Sequence, residues 1–305
     1  MDMSKIISQM IILFLMIMVG YITGKAKVFT QESNKVMSRV VIYVANPALI
    51  LNTVTSGQIV GTKLHTIYII LIGVAYFIVM PILSMLVIKL IPFFKAEKNV
   101  YQAMLVFSNL GFMGIPVVNA IYGPSAVFYI GIFIIPFNLL VFTYGVILVS
   151  GETIKNIDLK KVINPVSVAS IITLILYFGS IKTPYVFNET VSMLGNITTP
   201  LAMVTIGSNL ALVPTKEVFL DWKMYLFAVI KMLVLPVLVF LIFFAVIKDK
   251  MLLGVLVVIT GMPTASNVTL LCNEFNSDGA LVAKGTFIGT VVSLISIPIL
   301  AATIL

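Results

Sequence analysis

Two short runs carry most of the chemistry this chain can offer. One is Ser108-Asn109-Leu110-Gly111-Phe112-Met113-Gly114-Ile115-Pro116-Val117-Val118-Asn119; the other is Thr260-Gly261-Met262-Pro263-Thr264-Ala265-Ser266-Asn267. Glycine loosens a helix by its backbone freedom, and proline removes an N–H donor and clashes with the preceding turn. Each run therefore predicts a broken helix whose second half starts at or near its proline, Pro116 or Pro263, because proline suits the first helical position. A helix start presents unpaired N–H groups and a partial positive charge. Two such starts around one cavity make an anion site that needs no buried cation, and a carboxylate fits it. The candidate substrate-binding residues are thus Asn109, Gly111, Gly114, Pro116 and Asn119, with Gly261, Pro263, Thr264, Ser266 and Asn267. The glycines and prolines break the helices, and the polar side chains meet the substrate. The alternative is a pair of ordinary proline kinks relieved by packing against neighbouring helices.

Other polar groups lie in apolar surroundings. Asn46, Asn109, Asn119, Asn209 and Asn267 carry amides that need partners when buried. Each either contacts substrate or bonds between helices, the latter worth roughly 1 kcal/mol or less. Lys231 is the one clear charge inside an apolar run, nine residues past Trp222. That places it roughly 13 Å from the interface at 1.5 Å per residue. It attracts an anion or docks a helix, or else its stem snorkels back toward water. Asn46 and Lys231 join the candidate site. The only histidine, His65, falls in a predicted outer loop, and no HExxH or serine–histidine pairing occurs. No catalytic set, metal site or cofactor is assigned, and an enzyme is not expected. The single cysteine, Cys272, allows no intramolecular disulfide and no cysteine-based metal cluster.

The elements that position these residues follow from composition. Of 305 residues, 60% are apolar and 10% charged, whereas a soluble domain carries about a quarter charged. The charges sit between apolar runs of about 20 residues, the length that crosses a hydrocarbon core roughly 30 Å thick. The chain reads as an all-α integral membrane protein in a lipid bilayer. Ten spans are expected, at Ile6–Gly24, Val36–Val54, Thr66–Leu90, Val100–Tyr122, Ala126–Ser150, Val162–Gly179, Thr190–Val213, Met224–Ile247, Met251–Cys272 and Ala280–Leu305. The first is kept as an uncleaved span, since no small-residue cleavage site follows it. Of the 19 lysines and arginines, 13 fall on the face reached after odd-numbered spans, five on the other, and Lys231 within a span. By the positive-inside rule the first face is cytoplasmic and both termini are outside. The net charge of +8 is thus a topology signal; no basic face is formed for nucleic acid.

Five spans flank each side of the polar stretch Gly151–Lys161. Two halves with an odd number of spans have opposite orientation, which predicts an inverted repeat: residues 1–150, a short cytoplasmic connection at 151–161, and residues 162–305. Asn46-Pro47-Ala48-Leu49 matches Thr199-Pro200-Leu201-Ala202, Pro81 matches Pro236, and Gly114-Ile115-Pro116 matches Gly261-Met262-Pro263. These prolines are offset by 153, 155 and 147 residues. Spans four and nine would then run in opposite directions, with their breaks facing each other at the midplane.

The ten-span length, Asn46-Pro47-Ala48-Leu49, the Asn109-x-Gly111-x-x-Gly114-x-Pro116 run, Pro200-Leu201-Ala202 with Ile206-Gly207, and Gly261-x-Pro263 resemble the auxin efflux carrier family over essentially the whole chain. Bacterial members of that family are described as malate or malonate permeases. The resemblance implies two inverted five-helix repeats, with broken helices four and nine crossing at the substrate site. Spans one, two, six and seven would form a scaffold that often dimerises, and the remaining spans a mobile domain moving like an elevator. Plant members have a long central loop, unlike the short one here, so auxin is not carried over as substrate. Coupling to Na+ or H+ does not transfer either, because relatives differ. The expected function is a secondary transporter of a small organic anion. An anion-selective channel or a non-transporting membrane receptor on the same fold are the alternatives.

Overall fold

The computed structural model describes residues 3–56, 62–91, 94, 97–151, 165–212, 220–275 and 277–303. Residues 152–161 of the expected connection lie outside the described residues, as do Lys95 and Lys216 of the charge count. The described residues are helical and contain no strand. In chain order they form α1 (Met3–Lys25), α2 (Gln31–Thr55), α3 (Lys63–Leu90), α4 (Lys98–Val106), α5 (Leu110–Tyr122), α6 (Pro124–Ser150) and α7 (Pro165–Gly179). These are followed by α8 (Tyr185–Asn196), α9 (Thr198–Leu212), α10 (Trp222–Phe244), α11 (Lys250–Thr260), α12 (Ser266–Glu274) and α13 (Gly279–Thr303).

Five of them, α2, α3, α6, α10 and α13, are long and apolar enough to cross a membrane, and shorter apolar helices include α5, α7 and α11. Leu71, Ile78 and Ile82 of α3 and Leu241 and Phe244 of α10 are exposed. A helix that is apolar on its exposed face as well as its buried one suits lipid rather than water.

Three prolines reshape their helices in one way. Within α2, α5 and α10, a π-turn spans Val41–Ala45, Leu110–Gly114 and Ile230–Val234, and each is followed, after one intervening residue, by Pro47, Pro116 or Pro236. Proline lacks an N–H and its ring pushes on the carbonyl four residues back. Widening the preceding turn to an i→i+5 pattern relieves that clash. The N–H groups of Asn46, Ile115 and Leu235 accordingly bond the carbonyls of Val41, Leu110 and Ile230. Pro81, which the sequence pairs with Pro236, sits inside an uninterrupted α3, so the two prolines do not share a local shape.

The helices pack as one bundle, with α6 against α7 and the second half of α2, and α13 against α1. α1 lies along α9, and the second half of α2 against α7 and α8; α3 packs on α4 and α6, α10 on α11, and α13 on α10 and α12. Close approach of α1 and α9 depends on glycine. A Cβ on Gly20 would run into the Val204 carbonyl, and one on Gly207 into the Ile17 carbonyl, which is how small residues let membrane helices meet backbone to backbone. Asn34 Nδ2 donates to Asn209 Oδ1 at 2.9 Å, joining α2 to α9. Asn209 is thus an interhelix partner.

At one end of the bundle Asp249 gathers three elements. Its Oδ1 accepts the amides of Met251 at 2.9 Å and Leu252 at 3.2 Å, capping α11. Its Oδ2 lies 3.0 Å from His65 Nε2 and accepts the Tyr129 hydroxyl at 3.0 Å. His65, expected in a loop, stands instead in the first turn of α3, capped by Thr62.

Candidate functional site: a crossover of two broken helices

The first break lies earlier than the sequence predicts. α4 ends at Val106, residues 107–109 are extended or irregular, and α5 begins at Leu110, six residues before Pro116. Pro116 therefore does not start a half-helix; it stands inside α5, and Gly111 and Gly114 belong to its π-turn. The second break runs from Gly261 to Ala265, with Pro263 inside it, and α12 begins at Ser266 rather than at the proline. The reason is tertiary. The two breaks pair with each other as an antiparallel bridge between Ser108 and Thr264. Asn109 N donates to the Pro263 carbonyl at 2.8 Å, and Ala265 N to the Phe107 carbonyl at 2.9 Å. Pro263 contributes only its carbonyl, so its missing N–H costs nothing there. Buried backbone groups need partners in a membrane, and each break supplies them to the other.

The helix ends that run into the crossover are also satisfied. At the end of α4, the Ala103 carbonyl accepts Phe107 N at 3.0 Å and the Met104 carbonyl accepts Thr264 Oγ1 at 3.2 Å. The Leu105 carbonyl accepts Lys231 Nζ at 2.6 Å. Lys231 also donates to Ser108 Oγ at 2.7 Å, and Ser108 Oγ in turn donates to the Thr260 carbonyl of α11 at 3.4 Å. Thr260 Oγ1 donates to the Leu256 carbonyl at 2.6 Å, leaving it as acceptor for the Tyr76 hydroxyl of α3 at 3.0 Å. Lys231 is fully buried. It does not snorkel: its ammonium points inward, at the carbonyl ends of the broken helices.

The two starts beyond the crossover differ. α5 is capped by Asn109, whose Oδ1 accepts Phe112 N at 3.2 Å. α12 has no side-chain cap, its flanking residue being Ala265. Ser266 is exposed in its first turn and Asn267 is half-buried.

Asn46 explains a defect left by Pro116. In the i→i+5 turn, the donor due to the Gly111 carbonyl is the N–H of residue 116, which proline lacks. Asn46 Nδ2 of α2 supplies that bond at 2.6 Å. Asn46 is buried and its Oδ1 has no hydrogen-bond partner among the described residues. Gly261 packs against Pro236 and Leu300.

Asn119 stands apart, ten residues along the chain from Asn109. With Ala120 it lines a cavity of about 270 Å³, whose other walls are Ile12, Leu13 and Met16 of α1, Gly195 and Asn196 at the end of α8, and Thr199 of α9. Asn119 Oδ1 is buried without a partner among the described residues. The crossover thus brings together Asn109, Pro263, Thr264 and Lys231, with Gly111 and Asn46 beside it; Asn119 belongs to the cavity. Sequence reasoning missed Ser108, Thr260, Tyr76, Asn196 and Thr199. Ser108 and Thr260 were visible as the flanks of the two runs, whereas Tyr76 carried no local signal.

A bundle of apolar helices with two interrupted helices paired at their breaks defines a membrane protein built around a buried polar crossing. The model of the family described as membrane transport protein matches residues 5–301, and the chain belongs to this family, the auxin efflux carriers. It is also similar to an uncharacterized transporter of Methanocaldococcus jannaschii, 25% identical over 301 residues that cover 94% of this chain and 95% of that protein.

Proposed function

We propose that the chain is a secondary transporter that moves a small organic anion, a carboxylate such as malate or malonate, across the cytoplasmic membrane. The observation that carries this reading is the Ser108–Thr264 crossing, from which α5 and α12 start beside one another. Helix starts favour anions through their N–H groups and partial positive charge. The uncapped start of α12, with Thr264, Ser266 and Asn267, is the stronger anchor for a carboxylate. Asn109, Gly111, Gly114, Pro116, Gly261 and Pro263 shape the crossing, and Asn46 and Asn119 present unpartnered oxygens to hydroxyl or protonated groups.

The architecture in this reading is ten transmembrane helices in two inverted five-helix repeats, 1–150 and 162–305, with both termini outside. α1, α2 and α7–α9 form the scaffold and, in a homodimer, the contact between protomers. α3–α6 and α10–α13 move together as an elevator. The packing of α1 on α9 and of α2 on α7 and α8 supports the first group, and the bridge between the two breaks supports the second.

Uptake of radiolabelled malate and malonate into proteoliposomes tests this, with Na+, pH and voltage gradients imposed one at a time. Saturable uptake with counterflow establishes a carrier, and the gradient that drives it identifies the coupling ion. Absence of uptake under every gradient, from protein shown to be folded, removes these dicarboxylates. Conductance without saturation or counterflow would replace the carrier by a channel.

A further inference from the structure

Lys231 has a setting unlike that of a substrate ligand. It is fully buried in α10 and forms no ion pair with a described carboxylate. Its two acceptors are a main-chain carbonyl and a hydroxyl, at 2.6 and 2.7 Å. Neutral oxygens of these two kinds are also what bind a hard inorganic cation. Both belong to the broken stretch at the end of α4, and Ser108 extends the contact to the last carbonyl of α11. Each helix end carries a partial charge of roughly −0.5. Two such ends sum to about one negative charge, the complement of one ammonium. The helix starts that favour an anion belong to the other halves, α5 and α12.

We propose that Lys231 is a tethered counter-cation of the crossover, filling the place that a bound monovalent cation would otherwise take between the carbonyl ends of α4 and α11. The ammonium holds the end of α4 directly and that of α11 through Ser108, joining them as one piece. The wild-type crossover then takes no Na+ at this position, and removing the side chain opens a site for a small monovalent cation. This inference concerns the helix ends alone and holds whatever the substrate is.

The test is thermal unfolding of detergent-purified protein at constant ionic strength in chlorides of Na+, K+, methylammonium and the bulky N-methylglucamine. The wild-type midpoint should be the same in all four. Lys231→Ala should unfold several degrees lower in N-methylglucamine and recover saturably with methylammonium or a small alkali cation. A wild type stabilised specifically by Na+, or a folded Lys231→Ala that shows no such cation response, would overturn the proposal. Should Lys231→Ala fail to fold, Lys231→Arg against Lys231→Gln decides the matter. The proposal requires the charged variant to be the more stable, and a Gln variant equal to or better than Arg refutes it.

Discussion

The bond from Asn46 Nδ2 to the Gly111 carbonyl makes a sharp prediction, because its cause is a missing N–H at Pro116. Asn46→Ala leaves that carbonyl bare. Interhelix hydrogen bonds in membrane proteins average about 0.6 kcal/mol and reach about 1.7 kcal/mol. At about 1.4 kcal/mol per tenfold, the folding equilibrium should drop by about 3-fold to about 16-fold. Burial of Asn46 and the 2.6 Å distance favour the upper half of that range. Pro116→Ala restores the donor. If the turn keeps its i→i+5 pattern, residue 116 bonds Gly111; if it relaxes to an α-helix, the N–H of Ile115 does so. Either way, Asn46→Ala should cost much less in the Pro116→Ala background. Four proteins, the wild type, both single variants and the double variant, suffice, unfolded at equilibrium in mixed micelles by increasing fractions of a denaturing detergent. The coupling between the two positions is then read from the cycle. An Asn46→Ala cost that is the same in both backgrounds would refute the account of why this asparagine is there.

Gly207→Ala should separate α1 from α9, because its Cβ meets the main chain at Ile17, which is not free to swing away. Overpacking of this kind costs about 1–3 kcal/mol, so a lower unfolding midpoint is expected, whereas Gly111→Ala, whose Cβ meets only Asn46 Nδ2 at 3.8 Å, should be tolerated; equal loss in both would contradict the packing argument. Asp249→Ala removes the cap of α11, worth about 0.5–2 kcal/mol, together with the acceptor of Tyr129 and His65. It should therefore lower the midpoint more than His65→Ala, which loses the partly exposed contact to Asp249, worth about 0.2–1 kcal/mol, and ring contacts with Tyr68 and Tyr129; matching midpoints would mean that the cap contributes nothing.

The membrane character and the two interrupted runs were legible in the sequence because both depend on local terms. Apolar length and charge clustering are read directly, and glycine and proline act on their own turn. What the sequence did not specify was where each run breaks. Proline was expected to start the second half-helices, yet α5 starts at Leu110 and α12 at Ser266. Breaking at Phe107–Asn109 gains two backbone bonds to the other run, and that term involves residues more than 150 positions away. The same holds for Lys231. Distance along α10 left it free to reach water or the interior, and the carbonyls that draw it inward belong to helices remote in sequence. Asn46 shows the converse case. Its neighbour Pro47 announced a local irregularity, but its purpose depends on Pro116, three helices later.

These placements divide the crossover by charge. The carbonyl end of α4 is held by Lys231 and Thr264 and that of α11 by Ser108, so the carbonyl side of each broken helix already has partners within the protein. The opposite side is unequal, since α5 is capped by Asn109 and α12 is not capped by any side chain. In the carrier proposed above, an anion entering the crossing gains most at α12, whose start has no side-chain cap, and less at Lys231, whose ammonium is already engaged by Leu105 and Ser108. Had the lysine faced the helix starts, substrate charge and protein charge would pair directly. As built, the ammonium bonds the frame, and the start of α12, without a side-chain cap, is the end open to the proposed anion.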